Sequence, residues 1–367
     1  MAVASAPLRH LMIVLTAICL ITLSSCGMRS THQPAPPVAH AQPTATATPP
    51  PTPPPPPTPT PTTTGADEPG VPFTVRVLVE SELAGMTLDQ KLGQMLLIET
   101  YYQTDTPDVY NMVHNLHAGA LIIYGKNMST RQQLHDYIAA VQGNADIPLL
   151  ITMDEEGGNV DRLGSQKFYP PLPSAQWLGS TGDPQLAYQV GMQAGRELTA
   201  LGINTDLAPV VDVQTVPNPI EGPRLYGSDP KTVDTYAAQF LKGLQKYGII
   251  ACLKHWPGIG SVTEDPHLTL PTLQRTNAQL QSTEFAAFKG MLPLNPGMIM
   301  VTHVIVPGID PKLPATLSPK VVQGTLRDKY GYQGVVMTDS LYMKGISLKY
   351  NLGQAAVMSV QAGDDLL

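Results

Sequence analysis

Eight short apolar runs punctuate the chain beyond residue 71, at 93–99, 119–124, 148–153, 205–213, 249–255, 297–303, 334–338 and 364–367. Segments of helical character lie between them, at 129–142, 184–201, 233–247, 276–291 and 319–330. Runs this short and apolar suit strands covered on both faces, and their alternation with helices points to an α/β fold with a parallel sheet. Eight units favour a TIM (β/α)8 barrel over a doubly wound sheet, and no Gly-x-Gly-x-x-Gly follows the first run. The eighth run ends the sequence, so its strand is expected to be poorly covered and the barrel domain, 71–367, to stop short of its last helix.

The preceding residues divide in two. Arg9 and His10 introduce an apolar run, 11–23, shorter than the roughly 20 residues of a membrane span. It ends in Leu23-Ser24-Ser25-Cys26, which resembles a bacterial lipobox. Residues 1–25 therefore read as a lipoprotein signal peptide and Cys26 as the lipidated residue, anchoring the chain outside the cytoplasmic membrane. Fifteen of the 37 prolines gather in 26–70, where a Pro/Thr-rich stretch has too few apolar residues to build a core. As extended polyproline II, at about 3.1 Å per residue, it is a disordered tether reaching on the order of 100 Å.

With Cys19 removed and Cys26 acylated, Cys252 has no disulfide partner, and its apolar run 249–253 marks it as a core thiol. A net charge of −7 excludes a nucleic-acid binder.

Polar residues stand where the runs end: Asp154-Glu155-Glu156, Asp212, Lys254-His255, His303 and Asp339. In a barrel those are the carboxyl ends of strands, where active sites form. Asp339 is delivered as a nucleophile or base would be, although a helix-capping aspartate looks the same. Lys254 and His255 run into the loop Trp256-Pro257-Gly258-Ile259-Gly260, followed by Asp265-Pro266-His267. An aspartate accepting from one imidazole nitrogen fixes the tautomer and raises basicity, which suits a proton donor. Asp154 can take two sugar hydroxyls, with Arg162 within reach beyond the turn at Gly157-Gly158. Zinc-ligand spacing and EF-hand order are both missing, so no metal or cofactor is expected.

Five segments carry a resemblance: Met86-Thr87-Leu88-Asp89-Gln90-Lys91-Leu92-Gly93-Gln94-Met95, the stretch 154–162, Arg224-Leu225-Tyr226-Gly227-Ser228-Asp229-Pro230, the stretch 254–267, and 336–343. In this order they resemble glycoside hydrolase family three, in its β-N-acetylglucosaminidase branch of the peptidoglycan-recycling type, from about Thr87 to Leu367. The resemblance implies that Asp339 is the nucleophile of a retaining glycosidase, with His267 as acid/base oriented by Asp265. It implies sugar contacts from Asp154, Arg162, Arg224, Lys254 and His255, and these cations are also expected to hold Asp339 ionised. The implied substrate is terminal β-N-acetylglucosamine on peptidoglycan fragments or chitooligosaccharides. A β-glucosidase or β-xylosidase of the same family, a degenerate surface-anchored sugar-binding protein, and phosphorolysis in place of hydrolysis stay open. Two positions depart from the branch: Pro266 replaces a Ser or Thr inside the dyad, and Ile259 a histidine. Proline removes a backbone donor there, so the loop or the dyad geometry is expected to differ.

Overall fold

The computed structural model describes residues 73–218 and 221–367. The signal peptide, Cys26 and the tether lie outside the described residues. Seven strands form one parallel sheet in sequence order: β1 Leu97–Glu99, β2 Ala120–Ile122, β3 Leu150–Met153, β4 Thr205–Asp206, β5 Ile250–Trp256, β6 Met298–Val301 and β7 Val335–Thr338. The eighth position belongs to Leu366 and Leu367. Thr338 N–H donates to the carbonyl of Leu366 at 2.9 Å, and Leu97 N–H to that of Leu367 at 3.0 Å. These bonds link β7 back to β1, as a barrel of the TIM type requires. Leu366 is buried because it faces the barrel interior, while Asp365 is exposed and Leu367 half-buried.

Alternation along each strand builds two cores. Ala120, Ile122, Cys252, Met298, Met300, Met337 and Leu366 fill the interior. Leu121, Ile151, Leu253, Ile299 and Val336 point outward to the helices. Cys252 is the core thiol expected, with its Sγ 3.7 Å from Met337 Sδ, and burial pushes its pKa up.

The outer helices include α1 Arg131–Gly143, α2 Pro184–Ala200, α3 Pro230–Gln245, α4 Glu284–Met291 and α5 Leu352–Ala362. Asp183 and Asp229 cap α2 and α3, each followed by a proline at the first helical position, where its missing N–H costs nothing. The two helices cross closely: a Cβ on Gly191 would sit 2.2 Å from the Phe240 carbonyl oxygen. The run 205–213 ladders only at Thr205–Asp206 and then through an isolated bridge from Val210 to Lys254, since Pro209 has no N–H to give. The helix expected over 276–291 breaks at Thr283 into Asn277–Ser282 and α4, and that over 319–330 is a π-helix, Val322–Lys329.

Candidate active site

A cavity of about 1240 Å³ opens at the carboxyl ends of the strands. Asp154, Arg162, Arg224, Lys254, His255, His267 and Asp339 all line it. Asp265 stands behind His267.

The wall beyond β3 and β5 is a closed ionic network. Lys254 Nζ, with its side chain 2% exposed, lies 2.7 Å from Asp154 Oδ1 and 2.6 Å from Glu156 Oε1. Arg224 grips Glu156 through two parallel bonds, Nε to Oε2 at 2.7 Å and Nη2 to Oε1 at 2.8 Å, and spends Nη1 on Glu221 at 2.6 Å. Such forked pairs fix geometry as well as charge. Burial alone would raise the Glu156 pKa, but Lys254 and Arg224 hold it at about 2. Arg162 makes a longer contact with Asp154, Nη2 to Oδ2 at 3.4 Å, and stays partly exposed. His255 Nδ1 donates to the buried Asp212 at 2.7 Å, and Arg224 Nη2 lies 3.4 Å from its Nε2.

Glu155 belongs elsewhere. It turns away under the hairpin that carries Asp161 and accepts the Arg162 N–H at 2.7 Å. Burial, and then Asp161, push its pKa up to about 10.

Asp339 follows β7. Ser340 N–H donates to its Oδ1 at 2.8 Å and the Thr302 hydroxyl to its Oδ2 at 3.3 Å. Burial works against ionisation, yet its pKa lies below the ordinary carboxylate value because His303, His255, the Ser340 N–H and His267 outweigh it. His255 acts as expected, while Lys254, Arg162 and Arg224 make their ion pairs with Asp154, Glu156 and Glu221.

On the far side, Asp265 Oδ1 accepts from both His267 Nδ1, at 2.8 Å, and His267 N–H, at 2.9 Å. A carboxylate only accepts, so Nδ1 carries the proton and Nε2 is left free to act. Pro266 leaves this pairing intact. Its carbonyl accepts from Gly345 N–H at 3.2 Å, and that of His267 from Lys344 N–H at 3.2 Å, which docks the loop against the segment after Asp339. Ile259 still meets Asp212 through its backbone, its N–H donating to Oδ1 at 2.8 Å.

Glu156, Glu221, Asp212 and Thr302 complete the site without having been singled out for it. Asp212 and Glu156 stood in the polar clusters at the strand ends; nothing in the local sequence marks Glu221. Among the described residues no group of three His, Cys, Asp or Glu side chains is arranged to hold a metal ion.

Comparison with known proteins agrees with this geometry. Residues 87–367 match the glycosyl hydrolase family 3 N terminal domain. The chain is 34% identical over 321 residues to the β-hexosaminidase LpqI of Mycobacterium tuberculosis, covering 83% of this chain and 80% of that protein. It is 30% identical to a β-hexosaminidase of Methylobacillus flagellatus, over 75% of this chain and 80% of the relative. Among solved structures, a family 3 β-N-acetylglucosaminidase from Paenibacillus superposes with a TM-score of 0.74 at 37% identity. That match covers 77% of this chain and 54% of the other, so the chain spans about half of that relative's length. A β-glucoside phosphorylase, 24% identical with a TM-score of 0.73, shares the fold. By sequence and fold together, the chain belongs to glycosyl hydrolase family 3, in its β-N-acetylglucosaminidase branch.

Proposed function

We propose that the chain is a retaining β-N-acetylhexosaminidase acting on terminal β-N-acetylglucosamine of peptidoglycan fragments or chitooligosaccharides. One observation carries the reading: a single cavity joins a carboxylate kept ionised by its neighbours to a histidine whose Nδ1 is tied to Asp265 and whose Nε2 is free. In the first step, Asp339 bonds to the anomeric carbon while His267, as imidazolium, gives its Nε2 proton to the departing glycosidic oxygen. In the second, neutral His267 takes a proton from water, the water oxygen bonds to the same carbon, and Asp339 is released with net retention. Asp154 and Lys254, oriented by Glu156 and Arg224, supply acceptors and donors for the sugar hydroxyls before it arrives, so little reorganisation accompanies binding.

The test is nitrophenol release by the full chain from the β-N-acetylglucosaminide and the β-glucoside, beside Asp339→Ala and His267→Ala. Turnover of the N-acetyl substrate that vanishes in Asp339→Ala supports the reading. Turnover of the glucoside alone selects the β-glucosidase alternative, and sugar binding without turnover the degenerate one. Adding inorganic phosphate and assaying for a sugar 1-phosphate separates phosphorolysis from hydrolysis.

The reading extends to location: Cys26, in its lipobox-like setting, attaches the domain to the outer side of the cytoplasmic membrane through the tether. Cys26→Ser in a bacterial host should move the protein from the membrane to the soluble fraction; no change in fractionation defeats it.

A further inference from the structure

Beside Asp339 stands a buried histidine that the steps above do not use. His303 follows β6, is fully shielded from solvent and does not line the cavity. Its Nε2 lies 2.9 Å from the carbonyl oxygen of Ser340, the residue after Asp339. A carbonyl only accepts, so Nε2 carries a proton whatever the charge of the ring. Nδ1 lies 2.8 Å from the hydroxyl of Thr316, so the ring is gripped at both nitrogens. The Thr316 hydroxyl is itself anchored, donating to the carbonyl oxygen of Thr302 at 2.9 Å.

Both oxygens of Asp339 are held by neighbours of this ring. Ser340, whose N–H meets Oδ1, is tethered by His303 through its carbonyl; Thr302, whose hydroxyl meets Oδ2, is the residue before His303. The Cβ of His303 also backs the seam between the loop of His267 and the segment after Asp339. A Cβ on Gly345 would meet His303 Cβ at 3.0 Å and the Pro266 carbonyl oxygen at 3.2 Å, so that seam has no spare room.

We propose that His303 is a positioning residue for the nucleophile, fixing through its Nε2–H bond to Ser340 the orientation from which Asp339 attacks. This rests on the reading of Asp339 as nucleophile. A misplacement of about 1 Å at a reacting atom costs on the order of 10²-fold in rate, which is the scale of effect to look for.

Two variants separate positioning from packing. In His303→Gln an amide N–H takes the place of Nε2; in His303→Asn the side chain reaches only as far as Nδ1 and leaves the Ser340 carbonyl without its donor. The full chain is treated with a 5-fluoro-N-acetylglucosaminyl fluoride, in which Asp339 bonds to the anomeric carbon as fluoride departs. Fluoride needs no proton from His267, so the rate reports the nucleophile. Intact mass gives the rate, peptide mass the labelled residue, and titration the Kd of N-acetylglucosamine. The expected result is labelling about 10²-fold slower in His303→Asn, with His303→Gln within about tenfold of wild type and Kd changed less than about twofold in both. Labelling of His303→Asn at the wild-type rate overturns the proposal, as does equal slowing of both variants with weakened sugar binding. Label on a residue other than Asp339 in the wild type overturns the nucleophile reading and this proposal with it. Should His303→Asn fail to fold, Thr316→Val, which frees the other end of the ring, is expected to label about tenfold more slowly with Kd unchanged, and an unchanged rate overturns the proposal.

Discussion

On one side of the cavity Asp154, Glu156, Glu221, Arg224 and Lys254 pair with one another along the wall; on the other His267, with its side chain 63% exposed, hangs from Asp265 on a loop. The wall is part of the fold, since each of its charges depends on another buried charge. Backbone bonds from Gly345 and Lys344 dock the tip of the loop at Pro266 and His267 and leave the histidine facing the cavity. Recognition needs groups that do not move when the sugar arrives, and proton transfer needs a group that alternates between donor and acceptor. The same cavity meets both needs by placing them on different supports.

Substitutions on the two sides should therefore fail in different ways. The largest effect belongs to Lys254→Met, which leaves Asp154 and Glu156 buried without their shared cation. It should cost about 3–5 kcal/mol of stability and lower kcat/KM as well, measured by denaturant unfolding and steady-state kinetics. His267→Ala should cost activity alone, about 10²–10⁴-fold in kcat, with unfolding free energy within about 0.5 kcal/mol of wild type. A stability loss like that of Lys254→Met would erase the distinction between the two sides.

Adjacent residues on the wall sharpen the comparison through pH. Glu156, held at about 2 in the fold against an ordinary 4.5, contributes stability that is full above pH 4.5 and lost as pH falls toward 2. Glu155, raised to about 10, favours the fold below pH 4.5 and loses that contribution as pH rises toward 10. Glu156→Gln should thus be destabilised at pH 7, with the gap to wild type closing in acid. Glu155→Gln, which keeps an oxygen for the Arg162 N–H, should gain on wild type between pH 5 and 9. Denaturation midpoints across pH decide both, and parallel profiles for the two variants would refute the assignment. The smallest effect is expected of Pro266→Ser: the dyad bond already forms with proline in place, so kcat should change by less than about fivefold and stability by less than about 0.5 kcal/mol.

Much of this was legible along the chain. The apolar runs marked all seven laddered strands, because a strand covered on both faces leaves a local trace in composition. The strand ends and the Asp265-Pro266-His267 loop marked the cavity, because a barrel turns strand ends into one surface. The break at Thr283 left no such trace. Glu284 is drawn inward to Arg275, at 3.1 Å, and Ser261, at 2.5 Å, both remote from its own helix. The division of labour inside Asp154-Glu155-Glu156 was equally hidden. Three acids in a row look alike until one meets Lys254 and Arg162, the next the backbone after Asp161, and the third Arg224.

By itself the sequence determined the order and type of elements, the family and the residues proposed to react, since each is written in short windows of period, turn chemistry or motif. Only the tertiary structure decided which charges neutralise which. It paired Lys254, Arg162 and Arg224 with the acids of the wall and set His303, His255, the Ser340 N–H and His267 about Asp339. The physical reason is that Coulomb and hydrogen-bond energies follow distance and burial, and residues as far apart in the chain as Asp154 and Lys254, 100 positions, become neighbours only when the barrel closes.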